Sequence, residues 1–137
     1  MMDADSLSIS DTEMLSAIVL VVDDDPTTAD FLVQALSPLY RTFSALSGED
    51  AIGFCATLVP DLAILDLHMP FLDGLLTGKM LKSIPSMLNC PIVFSTVDTS
   101  TEQEIKCWDA GAAYFVIKPI VVQTLVKRIR AHIQLKM

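Results

Sequence analysis

Residues 18–28 read IVLVVDDDPTT, five apolar residues from Ile18 to Val22 running straight into Asp23, Asp24 and Asp25. The apolar run is the length of a strand, and it shows no polar alternation. A strand apolar at every position is buried on both faces, which points to a parallel sheet covered by helices. Three neighbouring carboxylates repel one another, and burying them without partners is costly. They must stand where the strand meets an edge at which negative charge has a use. Asp25-Pro26 reads as a helix N-cap followed by proline at the first helical position. That assigns Asp25 to the helix and leaves Asp23 and Asp24 over.

The same pattern repeats along the chain. Strands are predicted at 18–22 (IVLVV), 40–44 (YRTFS), 62–65 (LAIL), 92–95 (IVFS) and 114–117 (YFVI). Helical segments lie between them. Phe31, Leu32, Ala35 and Leu36 follow Pro26 at helical spacing. Ser47 with Asp50 three residues on has the form of a capping box and opens a helix through Ala51, Ile52, Cys55 and Leu58, stopped by Pro60. Asp73-Gly74 precedes a third helix reaching about Ser83. A fourth runs from Thr99 to Asp109 and ends at Gly111. The last has an apolar stripe of Val122, Leu125, Val126, Ile129 and Ile133. Alternating strands and helices with short connections give an α/β fold, a doubly wound five-stranded parallel sheet with five helices of the flavodoxin-like type.

A chain of 137 residues suits one domain of ordinary size. Residues 1–16 are expected to be a flexible acidic leader, since Asp3, Asp5, Asp11 and Glu13 occur there with no base, and residues 17–137 form the domain. Hydrophobic residues make up 52%, yet no apolar run approaches the roughly 20 residues of a membrane span. The start of the chain lacks the pattern of a signal peptide. With 9 basic against 17 acidic residues the net charge is −8, which argues against nucleic-acid binding. Cys55, Cys90 and Cys107 are widely spaced and contain no CxxC, as expected of reduced thiols in a cytoplasmic protein.

In a sheet of this kind ligands bind at the carboxyl ends of the strands. The first strand ends at Asp23 and Asp24, the third at Asp66, the fourth at Thr96 and the fifth at Lys118. Carboxylates gathered at one edge call for a hard divalent cation. Mg²⁺ takes one or two carboxylates and leaves positions for phosphate oxygens. With the metal and Lys118 nearby, Asp66 stays ionised and can attack a phosphoryl donor to give an acyl phosphate. Lys118 and the Thr96 hydroxyl can neutralise charge on the transferred group.

These motifs, VLVVDDDP, AILDLHMPFLDG, PIVFSTVD and AGAAYFVIKP, resemble the receiver domains of two-component response regulators, over residues 17–133. The resemblance implies a phosphoprotein of phosphorelay signal transduction that accepts a phosphoryl group from a sensor histidine kinase or a histidine phosphotransfer protein. It makes Asp66 the phosphoacceptor, with Asp23, Asp24, Asp66 and the backbone carbonyl of His68 around Mg²⁺. It makes Thr96 and Lys118 the phosphoryl-binding groups, and Thr96 and Phe115 the switch residues. Pro119 is expected to follow a cis peptide bond. The output domain or partner is expected on the face of the fourth helix, fifth strand and fifth helix, where a homodimer could also form. No membrane contact is implied.

The chain departs from the family pattern at several positions. Val97 stands where Ala or Gly is usual, and a branched side chain there is expected to crowd the route to Asp66. Ala113 and Tyr114 replace acids that some receivers use in dimer salt bridges. His68 and Asp98 occupy positions that tune the lifetime of the phosphoryl group. The ending RIRAHIQLK, with His132 as an ordinary helix residue, resembles the last helix of receivers that run on into cyclic-di-GMP synthesis or hydrolysis domains. The chain is therefore expected to be the receiver portion of a longer regulator.

Two other readings compete with a phosphorylatable receiver. One is a pseudo-receiver that keeps the fold and binds a partner without phosphorylation; the full set of Asp23, Asp24, Asp66, Thr96 and Lys118 argues against it. The other is a Mg²⁺-dependent phosphatase with an Asp nucleophile. Phosphatases of the haloacid dehalogenase type carry a second Asp two residues after the first, where this chain has His68.

Overall fold

The computed structural model describes residues 16–136; the expected leader, apart from Ser16, lies outside them. Five parallel strands, β1 (Ile18–Val22), β2 (Arg41–Ala45), β3 (Leu62–Asp66), β4 (Ile92–Thr96) and β5 (Tyr114–Ile117), form one sheet in the order β2-β1-β3-β4-β5. The helices are α1 (Pro26–Leu36), α2 (Gly48–Thr57), α3 (Gly74–Lys82), α4 (Thr101–Asp109) and α5 (Val122–Lys136), with a 3₁₀ turn at Pro85–Met87.

The unbroken apolar runs of β1, β3 and β4 are explained by two cores, one on each face. Leu20, Val22, Ala63, Leu65, Ile92 and Phe94 point to one side and meet Ala51, Cys55, Leu81 and Cys107 of α2, α3 and α4. Val19, Val21, Leu62, Ile64 and Val93 point to the other and meet Leu32 and Leu36 of α1 with Leu125, Ile129 and Ile133 of α5. Successive side chains of a strand alternate between faces, so both parities must be apolar. Each fully buried Val, Leu, Ile or Phe among them contributes about 1.5–3 kcal/mol relative to exposure.

The helix starts follow their caps. Asp25 accepts from Thr27 N–H at 3.1 Å and from the Thr28 hydroxyl at 2.9 Å, which uses both of its oxygens on α1. Ser47 caps α2 through Asp50 N–H, and Asp73 caps α3 through Leu76 N–H. Boundaries differ from the sequence reading by a residue or two. β2 runs 41–45 rather than 40–44, because Tyr40 N–H still bonds Leu36 C=O in the turn that closes α1. α4 opens at Thr101, not Thr99, because the Asp98 carboxylate takes Ser100 N–H and holds the chain in a turn until Ser100 caps the helix. α2 ends at Thr57 with Leu58 extended, the chain straightening ahead of Pro60.

Candidate functional site

All strands being parallel, their carboxyl ends share one edge, and the order of the sheet reverses between β1 and β3. Ligand crevices form at such a point. Asp23 follows β1 immediately, and its N–H reaches Ala45 C=O at the end of β2. Asp66 closes β3 next to it, Thr96 closes β4, and Lys118 follows β5 with its N–H on Thr96 C=O at 2.8 Å. Lys118 Nζ spans the crevice. It donates to Asp66 Oδ1 at 3.1 Å and to Asp23 Oδ2 at 3.2 Å. The other oxygen of Asp23, Oδ1, accepts Asp25 N–H at 3.0 Å. Asp23 and Asp66 are buried while Asp24 is exposed, and one oxygen of each lies within 4.8 Å of the others.

The electrostatics follow from that crowding. Burial and then the charge of Asp23 push the Asp66 carboxyl above the usual carboxylate range, against the pull of Lys118 and the His68 N–H. Burial opposes the charge of Lys118, but Asp66 and Asp23 together outweigh it and raise the ammonium. The result is a fixed cation facing two anions, one of which resists ionisation. Three oxygens from three carboxylates at this spacing suit a hard divalent cation, so the donor set fits Mg²⁺.

Thr96 is buried, and its hydroxyl oxygen accepts Asp98 N–H at 2.9 Å. That bond leaves the hydroxyl proton free to donate. Asp98 is held below the usual carboxylate range chiefly by the Ser100 N–H and hydroxyl, with His68 and Lys106 as weaker causes. Val97 is 66% exposed and turns toward solvent. The Lys118–Pro119 peptide bond is cis. Phe115 is half-buried, and the Trp108 and Phe115 rings form a T-shaped pair with centroids 5.7 Å apart. Tyr114, beside it, lies under the Arg128 guanidinium at 4.2 Å. A cavity of about 260 Å³ alongside β5 and the start of α5 contains none of the acids. Cys55, Cys90 and Cys107 are all buried.

One contributor to the site, the space left by a glycine beside Asp66, was not readable in the sequence. Gly74, the first residue of α3, packs against the back of Asp66, where a Cβ would strike the Asp66 carbonyl oxygen and come 2.6 Å from Leu67 Cα. Its N–H bonds Leu67 C=O and closes the loop after β3. Within that loop Phe71 adopts a left-handed conformation, φ +67°, and is entirely exposed. In the sequence Asp73-Gly74 marks only the start of a helix; the closed loop reveals what the missing side chain makes room for.

Residues 19–130 match the family described as response regulator receiver domain. The chain belongs to that family. Among curated relatives, this receiver domain is 32% identical over 124 residues to a probable cyclic di-GMP phosphodiesterase of Vibrio cholerae, covering 90% of the chain and 28% of the relative. It is also 32% identical over 124 residues to the response regulator PleD of Caulobacter vibrioides, covering 90% of the chain and 27% of PleD. The chain thus spans about a quarter of the length of these relatives. Among solved structures, the receiver domain of the Francisella response regulator 1452 superposes with a TM-score of 0.82 at 27% identity, covering 89% of this chain and all of that one. The chemotaxis protein CheY4 of Vibrio cholerae gives 0.81 at 26% identity, with 85% and 98% covered. The receiver domain is a signalling module of two-component systems, and its family pairs with histidine kinases or phosphotransfer proteins and with output domains. Among the described residues no helix is long and apolar enough to cross a membrane.

Proposed function

We propose that this receiver domain is a Mg²⁺-dependent phosphoryl-accepting switch with Asp66 as the acceptor. The observation that carries the reading is the crevice itself. Lys118 Nζ bridges Asp66 and Asp23, and Asp24 completes a carboxylate triad within 4.8 Å. Asp23, Asp24, Asp66 and the His68 backbone carbonyl would hold the metal, which when bound neutralises the carboxylates and the phosphoryl oxygens. An Asp66 carboxylate oxygen attacks phosphorus. The new O–P bond forms as the bond to the leaving group breaks, and the leaving group keeps the electron pair. That group is acetate for acetyl phosphate and the imidazole nitrogen for a phosphohistidine. Lys118 balances the incoming charge at its present position, and the Thr96 hydroxyl donates to a phosphoryl oxygen.

The chemistry is directed only at the domain itself. Thr96 and Phe115 would relay it to the face of α4, β5 and α5, where an output domain, partner protein or second copy binds. A sensor histidine kinase or phosphotransfer protein supplies the phosphoryl group. The whole protein is read as a longer cytoplasmic regulator with a cyclic-di-GMP type output, which the name of the Vibrio relative and the share of its length matched support. Intact-mass spectrometry after incubation with acetyl phosphate and Mg²⁺ tests the central step. One added phosphoryl group that requires Mg²⁺ and is lost in Asp66→Ala is the expected result. An adduct that persists in Asp66→Ala would refute the assignment.

A further inference from the structure

Phe71 works against the fold on two independent counts. Its φ of +67° is the left-handed region, where a Cβ crowds the backbone and bulky residues are outliers. Its ring is 100% exposed, so it recovers no burial in return. The left-handed turn itself is required. The chain must reverse between Asp66 and Gly74 so that Gly74 N–H can reach Leu67 C=O at 2.9 Å. Glycine or asparagine would make that turn with less strain. Leu67 and Met69 before it are buried, and Leu72 after it lies against Gly48 at the start of α2, so the loop is well anchored. A loop anchored on both sides therefore holds out an aromatic ring that buries nothing against the domain itself. Strain kept at such a position points to a use outside the fold.

The position of the loop says what that use is. Phe71 lies five residues beyond Asp66, on the edge of the sheet where Asp66 opens. Asp66 is only 5% exposed, so a donor must approach through the mouth framed by the loops after the strands. Two of the other loops also expose branched apolar residues, Val97 after β4 (66%) and Val121 after β5 (63%). A small donor such as acetyl phosphate needs no apolar contacts. A protein that must hold a phosphoimidazole in line with Asp66 does, and interfaces are commonly anchored by an aromatic seated in the partner. We infer that Phe71 is the docking anchor for the phosphohistidine-bearing donor protein, inserting its ring into an apolar recess of the donor beside the transferring group. The inference rests on Asp66 being the phosphoacceptor.

The test compares wild type with Phe71→Gly and Phe71→Ala using two donors. One is acetyl phosphate with Mg²⁺. The other is a panel of purified, ³²P-labelled histidine kinases and phosphotransfer proteins, from which the fastest donor to wild type is taken. The expected result is a loss of about tenfold or more in the protein-donor rate at low concentration, the scale of an anchor residue. Acetyl phosphate uptake stays at the wild-type rate, and the denaturation midpoint of Phe71→Gly is unchanged or higher. Equal losses with both donors would overturn the inference by making Phe71 part of the acceptor site's own support. No loss with the protein donor would overturn it too, as would acetyl phosphate uptake with no transfer from any phosphoprotein. So would a wild-type dimer, seen by sedimentation, that Phe71→Gly abolishes, since that assigns the ring to a second copy. Failure of wild type to take a phosphoryl group from either source would instead refute the Asp66 reading, and this inference with it.

Discussion

Lys118 Nζ stands 3.1 Å from Asp66 Oδ1, joining residues 52 positions apart in the chain across the carboxyl edge of the sheet. The same ammonium holds Asp23, so one cation serves two buried carboxylates. One ammonium against two buried carboxylates leaves the pair short of positive charge.

Asp66→Asn should consequently stabilise the metal-free protein at neutral pH. Burial first and Asp23 second hold Asp66 above the ordinary carboxylate range. An acid raised by folding binds its proton more tightly folded than unfolded. Its contribution to stability therefore falls as pH rises from the ordinary carboxylate value through the raised one, and stays low above it. The amide has no such loss. The stability gap between Asp66→Asn and wild type should be widest near neutrality and close below about pH 4. Urea denaturation across pH in the presence of EDTA measures this, and a variant less stable than wild type at pH 7 would sink it. Saturating Mg²⁺ should stabilise wild type more than the variant.

Three glycine-to-alanine substitutions should rank by what a Cβ meets. Gly74→Ala drives a methyl into the backbone of Asp66 and Leu67 and should cost about 3 kcal/mol or more, with loss of phosphoryl uptake. Gly78→Ala meets Phe94 Cζ at 2.8 Å, a buried ring that can shift only slightly, and should cost roughly 1–3 kcal/mol. Gly53, inside α2, has nothing within 4 Å of its Cβ position, and Gly53→Ala should stabilise by about 0.5–1 kcal/mol. Chemical denaturation gives all three values, and any other order would contradict the packing described here.

Cys55 predicts a loss of stability in alkali. Burial pushes its thiol up from 9.0 to about 11. The unfolded chain ionises first, so stability contributed by the neutral thiol is intact below pH 9 and declines as pH rises from there to about 11. Cys55→Ala should be about 1 kcal/mol less stable at neutral pH through lost packing, yet decline less steeply over that interval. Parallel slopes for the two proteins would show that Cys55 does not drive the effect. Native Cys55 should also resist iodoacetamide at pH 8 while the denatured chain reacts.

Trp108, the only tryptophan, should report the switch. Its ring forms a T-shaped pair with Phe115 at 5.7 Å and 76°, and its indole N–H bonds Glu104 at 3.2 Å. If phosphorylation moves Phe115, the emission of Trp108 should change on addition of Mg²⁺ and acetyl phosphate, and not in Asp66→Ala. Emission that stays constant while mass spectrometry shows full phosphorylation would mean that the aromatic pair does not move.

The acids, the hydroxyl and the lysine were legible in the sequence because each follows an apolar run, and strand ends are where such runs stop. Asp25 could be set apart from Asp23 and Asp24 because a cap followed by proline has a local form. The start of α4 was misplaced by two residues, since the Asx turn at Asp98 depends on one carboxylate reaching Ser100. That Trp108 neighbours Phe115 has no local sign in the sequence, because the pairing depends on how α4 lies against β5.

By itself the sequence determined the two-faced burial of the central strands, the alternation of strand and helix, and the chemical groups at the strand ends, all of which follow from periodicity and composition within a few residues. Only the tertiary structure decided that Lys118 bridges Asp66 and Asp23, that Gly74 must lack a side chain to seat Asp66, and that Phe71 is held out in a left-handed turn. Those relations join residues through strand order and loop closure, and local patterns in a chain contain no measure of such distances.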